Sequence, residues 1–361
     1  MTVAPWVLIA ELTHRCPLRC AYCSNPLQLT PRAAELDSAT WVQALSQAWK
    51  LGVRMVHFTG GEPLLEPELE TLVASARALG LYPTLITSGL GPGAHTETLR
   101  RIDALAAAGL RAVQVSFQGA VRGTGLAIAG RDAFEQKLAF ARRSRQIGLS
   151  LTTNLVLHRA NLEQAERFVE LSLELEADRV ELAHVQYHGW AALNRSRLIP
   201  DAERIEELNR WIGRAKQAYG ARLELVYVMA DHFSGKAKAC MNGWARQAIV
   251  IAPDGKVLPC HAADTLPLRH ANIKESALAD IWRHGEAFEA FRGEAWMEAP
   301  CASCPERARD FGGCRCQALA LTGRATAADP ACRFSPEHQK LVELHRQDGS
   351  APLTFRGNPP L

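Results

Sequence analysis

Glu11-Leu-Thr-His-Arg-Cys-Pro-Leu-Arg-Cys-Ala-Tyr-Cys-Ser-Asn-Pro26 places three thiols, Cys16, Cys20 and Cys23, at C-x3-C-x2-C spacing, directly after the apolar, strand-like run Val7 to Thr13. A four-iron, four-sulfur cubane takes four thiolates. Three of them in one tight loop leave one iron open to a small molecule. The other use of such a loop is a structural zinc site, which needs a fourth Cys or His at a defined spacing. His14, two residues before Cys16, is the near candidate and is poorly spaced for it.

Outward from this loop the chain alternates strands and helices. Strands are predicted at Val53 to Thr59, Tyr82 to Thr87, Ala112 to Phe117, Leu149 to Leu157, Arg179 to Ala183 and Arg222 to Val228. Helices are predicted at Ser38 to Leu51, Glu66 to Leu79, Thr96 to Ala108, Asp132 to Gln146, Leu162 to Leu175 and Ala202 to Tyr219, the first with Ser38 as N-cap and Gly52 just past its end. This rhythm implies a parallel sheet with helical crossovers. Six units suggest a partial (β/α)6 barrel of the TIM type, and a doubly wound flat sheet has the same periodicity. In both architectures chemistry gathers at the C-terminal ends of the strands, where Cys16 to Cys23, Gly60-Gly61-Glu62-Pro63, Thr87-Ser88-Gly89, Ser116, Gln118, Asn154 and His184 to His188 all fall.

Composition limits the function classes. Lys+Arg 41 against Asp+Glu 38 leave a formal charge of only +3, which argues against a protein built to bind nucleic acid or an anionic membrane. The N-terminus lacks the cationic start and long apolar core of a secretory signal, and no apolar run approaches the length of a bilayer span. The chain therefore reads as soluble and cytoplasmic, without a membrane or nucleic-acid partner. In that compartment ten cysteines point to metal or redox chemistry rather than to five disulfides.

The C-x3-C-x2-C loop, with Tyr22 just before its last cysteine, resembles the radical S-adenosylmethionine (AdoMet) superfamily. The resemblance implies a [4Fe-4S] cluster on Cys16, Cys20 and Cys23, with AdoMet chelating the open iron and being cleaved reductively to a 5′-deoxyadenosyl radical. It also implies that Gly60, Gly61, Glu62 and Pro63 contact the AdoMet amino group. Ser116 and Asn154 serve equally well as binders of its carboxylate or ribose and as strand-end residues that satisfy backbone groups. Ser88 stands where relatives commonly carry Asn, a departure at a cofactor-binding position.

From Cys240 onward the alternation stops. Ala248 to Pro259 signals a hairpin about an Asp254-Gly255 turn, flanked by Cys240 and Cys260. Cys301-x2-Cys304, Asp310, Cys314-x-Cys316 and Cys332 follow, so seven thiols remain after the first three. Seven is one short of two four-ligand sites, and a carboxylate fixes the count. The order is similar to the SPASM extension of peptide-modifying radical AdoMet enzymes. With Asp310 in place of a cysteine, it resembles the PqqE family of PqqA peptide cyclases in pyrroloquinoline quinone (PQQ) biosynthesis. Glu181-Leu-Ala-His-Val-Gln-Tyr-His-Gly-Trp-Ala191 looks like that family too. Carried over, Cys240, Cys260, Cys314 and Cys316 hold one auxiliary cluster, expected as [2Fe-2S], and Cys301, Cys304, Asp310 and Cys332 hold a second, expected as [4Fe-4S]. Two zinc sites have the same spacing.

The resemblance implies a carbon-carbon cross-link between a Glu and a Tyr of the precursor peptide PqqA. It also implies a PqqD-type peptide chaperone as a separate chain and an external electron donor. His184, Gln186, Tyr187, His188 and Trp190 are candidates to line the peptide cavity, with packing as the other use of the two aromatics. The expected domains are residues 1–230, the radical AdoMet barrel; 231–340, the auxiliary-cluster domain; and 341–361, a short polar tail. Another SPASM enzyme, such as a sulfatase-maturing oxidase, and a non-catalytic zinc protein are the competing functions.

Overall fold

A computed structural model describes residues 3–229, 231–345 and 349–357. The expected boundary at residue 230, residues 1–2 and parts of the 341–361 tail lie outside the described residues. Seven parallel strands run in chain order: β1 Val7–Thr13, β2 Met55–Gly60, β3 Tyr82–Thr87, β4 Ala112–Phe117, β5 Ser150–Leu157, β6 Arg179–His184 and β7 Glu224–Val228. Each pairs in parallel with its successor. A doubly wound sheet reverses its strand order at a switch point. Here the order runs from β7 to β1 without reversal, so six successive crossovers step in one direction, as in part of a TIM-type barrel.

The crossovers follow their sequence patterns. α1, Ser38–Leu51, buries Trp41, Ala44, Leu45 and Ala48 along one stripe and ends at Gly52, whose φ of 115° is the left-handed conformation of a C-cap. Its N-cap is Asp37, not the expected Ser38: the Asp37 carboxylate accepts from Thr40 N at 2.8 Å, and Ser38 is the first helical residue. α2 Leu69–Ala78 and α3 His95–Ala107 follow. The short helix α4 Thr124–Ala129 was not signalled by the sequence. α5 Phe134–Gln146 and α6 Ala165–Glu174 come next. Two more short helices, α7 Gly189–Leu193 and α8 Arg195–Leu198, precede α9 Ala202–Tyr219.

The hairpin of the cysteine-rich third does not stand apart. Its first arm, β8 Ala248–Ile251, pairs in parallel with β1, and β9 Val257–Leu258 pairs antiparallel with β8. The barrel sheet thus continues to nine strands, and β1 lies between β2 and β8. Past β9 the chain bends so that His261 pairs with Glu11, near the end of the strand that launches the Cys16–Cys23 loop. Among the described residues no helix is long and apolar enough to cross a membrane.

Candidate active site

The Cys16–Cys23 loop is held by elements on both sides. Arg19 N and Ala21 N donate to Ala129 and Ile128 carbonyls at the end of α4, and Ala191 N of α7 donates to Cys23 O. Asn194 Nδ2 reaches Ala21 O at 2.8 Å. The three thiols line one side of a cavity of about 300 Å³, together with Tyr22, Thr59, Gly60, Gly61, Ser88, Ser116, Gln118, His184, Gln186 and Arg356. Gln118 Nε2 donates to Tyr22 Oη at 3.0 Å and lies 4.0 Å from Cys20 Sγ. Burial pushes the Cys16 thiol up to about 12 and the Cys20 thiol up to about 11; the charge of Arg356 acts on both in the opposite direction, and Lys137 joins it at Cys20.

Of the residues expected to bind AdoMet, Tyr22, Gly60, Gly61, Ser88 and Ser116 face this cavity, whereas Glu62, Pro63 and Asn154 do not line it. The glycines are needed for contact with protein. A Cβ on Gly61 would lie 2.3 Å from Arg15 O, and one on Gly60 would lie 2.4 Å from Thr13 O. Their small size lets this turn close onto the entry to the cysteine loop, where Gly61 N and Glu62 N donate to Thr13 O and Arg15 O. Glu62 is fully buried and its carboxylate is saturated. Leu64 N at 3.1 Å and Thr87 Oγ1 at 2.5 Å donate to one oxygen; Ser88 N at 2.7 Å and the Ser88 hydroxyl donate to the other. Ser88 therefore ties the end of β3 to the end of β2. Asn154 lies buried on β5 in register with Ser116.

The C-terminal thiols form two groups. Cys240, Cys260, Cys314 and Cys316 close a ring, each hydrogen bonded to two of the others. Those bonds, which act in both directions, and burial leave all four thiols raised. Asp310, Cys332 and Cys304 all bear on the Cys301 thiol electrostatically, although burial is the larger cause of its upward shift. Between the groups lies Arg315, 1% exposed, which stacks on Trp296 at 4.7 Å and donates to the carbonyls of Gly312, Gly313, Ala325 and Ala327. Buried Asp329 accepts from Cys314 N at 2.7 Å, Gln317 Nε2 at 2.8 Å and Ala331 N at 2.9 Å. Sequence reading missed both, because a buried Arg and Asp carry no local signature of burial.

The donor sets fit iron-sulfur clusters: three soft thiolates beside a cavity, four in a ring, and three with a carboxylate. Buried donors in Arg356 that lack a partner, Nε and Nη1, also call for an anion at the first site. His14 does not supply a fourth ligand there. Its Nδ1 accepts from Thr30 N at 2.9 Å, its Nε2 lies 3.8 Å from Glu11, and its side chain lines a neighbouring cavity.

Two further cavities adjoin the first. One of about 350 Å³ is lined by Ser24, Gln186, His188, Cys240, Cys260, His261 and Cys314. It shares Ser24 and Gln186 with the AdoMet-side cavity, and shares Ser24, His188 and His261 with an outer one of about 600 Å³. The exposed side chains of Leu27 and Leu193 line the outer cavity. Burial lowers His184 and His188 to about 4, so both are neutral near pH 7. Tyr187 and Trp190 are buried, Tyr187 against the His232 ring at 4.7 Å and Trp190 beneath the Arg356 guanidinium at 5.8 Å, which makes them packing residues.

Fold and thiol arrangement together define a radical AdoMet enzyme with an auxiliary-cluster extension. Residues 10–172 match the radical SAM superfamily and residues 240–305 match SPASM, an iron-sulfur cluster-binding domain. The fold is similar to that of Streptococcus suis SuiB bound to precursor peptide SuiA, with a TM-score of 0.74 and 19% identity over 91% of this chain and 76% of that one. It is also similar to anSMEcpe with bound AdoMet and Kp18Cys peptide, with a TM-score of 0.63 and 16% identity over 94% and 96% of the two chains. The sequence is 48% identical over 343 residues to a PqqA peptide cyclase of Methylobacterium nodulans, covering 94% of this chain and 89% of the relative. It is 47% identical over 349 residues to that of Methylorubrum extorquens, covering 96% and 90%. The chain belongs to the PqqA peptide cyclase family.

Proposed function

We propose that the protein joins a Glu and a Tyr side chain of a PqqA-type precursor peptide through a carbon-carbon bond, the first step of PQQ biosynthesis. The observation that carries this reading is the run of three adjoining cavities, from the Cys16–Cys23 loop past the ring of Cys240, Cys260, Cys314 and Cys316 to the surface at Leu27 and Leu193. A peptide entering there passes between a three-thiolate and a four-thiolate site.

In this reading Cys16, Cys20 and Cys23 hold the cluster that binds AdoMet. Tyr22, Ser88, Ser116 and the backbone of Gly60 and Gly61 border the AdoMet, and Glu62 and Pro63 keep that border in place. Cys240, Cys260, Cys314 and Cys316 ligate one auxiliary cluster; Cys301, Cys304, Asp310 and Cys332 ligate the other. When bound, these groups supply the 5′-deoxyadenosyl radical that removes a hydrogen atom from the Glu side chain and an acceptor for the electron that the cross-linked ring gives up as it sheds a proton. Gln186 and His188 border the path between the sites and orient the peptide. Neutral His184 and His188 add no charge to it. A small PqqD-type chaperone delivers the peptide, an external donor supplies electrons, and ten free cysteines support a cytoplasmic location. Residues 1–230 form the barrel unit, 231–340 the auxiliary-cluster unit and 341–361 the tail.

The test is anaerobic incubation of reconstituted protein with a PqqA-type peptide, the chaperone, AdoMet and reductant, read by mass spectrometry, with 5′-deoxyadenosine counted alongside. A peptide lighter by two hydrogens, mapped to one Glu and one Tyr, is the expected result. Deoxyadenosine with an unchanged peptide would send the reading to another peptide substrate. Neither product from an iron-replete sample would overturn it.

A further inference from the structure

The expected polar tail includes a segment that returns to the barrel. Thr354 N donates to Asn194 Oδ1 at 2.7 Å, and Asn194 Nδ2 donates to Thr354 O at 2.7 Å as well as to Ala21 O in the cysteine loop. Arg356 N donates to Arg19 O, and Arg19 Nε donates to Arg356 O at 3.1 Å. Leu353 packs against the apolar cluster that contains Leu18 and Ala21 of the loop. These contacts thread one charged side chain inward: Arg356 is 1% exposed, lies over Trp190 and lines the cavity that the three thiols share.

Two buried cations face that loop, and they differ. Lys137 is satisfied, its Nζ donating to Ser116 O at 2.7 Å and Ser88 O at 2.9 Å. Arg356 donates from Nη2 to His14 O and its guanidinium also reaches the Cys23 thiol, whereas Nε and Nη1 lack a well-aligned acceptor among the described residues. A guanidinium cannot shed its charge and cannot accept a hydrogen bond, so burial with two idle donors is costly unless an anion occupies the space beside it. Its charge already acts on Cys16, Cys20 and Cys23, opposing the burial that raises each thiol.

We propose that Arg356 is a cofactor-positioning residue, carried in by the C-terminal segment, whose guanidinium pairs with the negative charge assembled at the Cys16–Cys20–Cys23 loop. This rests on the reading of that loop as the AdoMet cluster site. Two sources supply the charge, the thiolate-ligated cluster and the carboxylate of AdoMet bound to it. The C-terminal segment thereby becomes part of the active site and couples its own ordering to cofactor binding.

The test compares reconstituted wild type with Arg356→Gln and Arg356→Lys. Iron content and circular dichroism confirm loading and folding. The midpoint potential of the loop cluster is measured by spectroelectrochemistry without AdoMet, and AdoMet affinity by isothermal titration. If the cluster is the partner, Arg356→Gln makes the cluster harder to reduce without AdoMet, and Arg356→Lys restores part of the shift. If the carboxylate is the partner, the potential stays put and AdoMet binds roughly 10- to 100-fold more weakly in Arg356→Gln, with partial recovery in Arg356→Lys. A loaded Arg356→Gln protein with both quantities unchanged overturns the proposal. So does equal loss of both in Gln and Lys variants, since charge would then be irrelevant. Should neither variant load iron, Asn194→Ala, which releases Thr354 without touching the charge, takes their place. An unchanged potential and unchanged AdoMet affinity in that variant would equally count against the proposal. Wild-type protein that binds no AdoMet would instead remove the underlying reading of the loop.

Discussion

The cysteine loop after β1 and the cysteine-rich third from Cys240 onward both gather soft thiolates, but they are finished differently. The first has three thiols on a cavity, with Arg356 beside them holding idle donors. The second has seven thiols and Asp310, proposed above as two four-ligand sets, and its buried cation, Arg315, spends its donors on four backbone carbonyls. An open iron needs unsatisfied groups nearby to receive a ligand. Clusters that only pass electrons need a shell that is already satisfied and does not reorganise.

The sharpest way to break this contrast is to remove one thiol from each region. Cys20→Ala abolishes 5′-deoxyadenosine formation and cross-linking together, whereas Cys316→Ala abolishes the cross-link and leaves AdoMet cleavage measurable by chromatography. Equal loss of both products in the two variants would erase the distinction. Next in size is Arg315→Met, which leaves the carbonyls of Gly312, Gly313, Ala325 and Ala327 without their donor and destabilises the C-terminal region, in denaturant titration, by about 1–3 kcal/mol for each carbonyl left unsatisfied. Glu62→Gln puts an amide donor where four donors converge and costs about 1–3 kcal/mol. It also loosens AdoMet, because Ser88 loses its anchor.

A finer test is Asp310→Cys, which replaces a hard ligand by a soft one, shifts the auxiliary potential and slows cross-linking more than AdoMet cleavage. The smallest effect belongs to a site outside both regions. Asp37→Ala lowers the melting temperature slightly by uncapping α1. The Thr40 hydrogen bond holds the Asp37 carboxyl below its usual value of 3.8, so the cap is at full strength above that pH and is lost as pH falls through the folded value. The gap between wild type and variant therefore closes in acid.

The order of β1 to β7 and their main crossovers could be read from the chain because apolar periodicity is a local signal. The cysteine positions are equally plain, but their grouping comes from the family resemblance rather than from spacing; the fold brings Cys240, Cys260, Cys314 and Cys316 together. The helices α4, α7 and α8 escaped, each of one or two turns and too short for a periodic stripe, yet α4 and α7 fasten the cysteine loop. The pairing of β8 with β1 escaped as well, because strand pairing across more than two hundred residues leaves no mark in either segment. Glu62 is singled out by its motif, but the four protein donors on its oxygens are visible only in the fold. Arg356 looked like part of a polar tail, and only the fold of residues 349–357 shows it buried against the thiols.

The most direct measurement is electron paramagnetic resonance of the reduced protein with and without AdoMet, in wild type and in a variant lacking Cys16, Cys20 and Cys23. The account predicts that AdoMet perturbs the signal of one cluster only and that this signal vanishes in the variant while the auxiliary signals persist unchanged. An AdoMet-induced change in the variant, or in the auxiliary signals of the wild type, would contradict the assignment of one open and two closed sites.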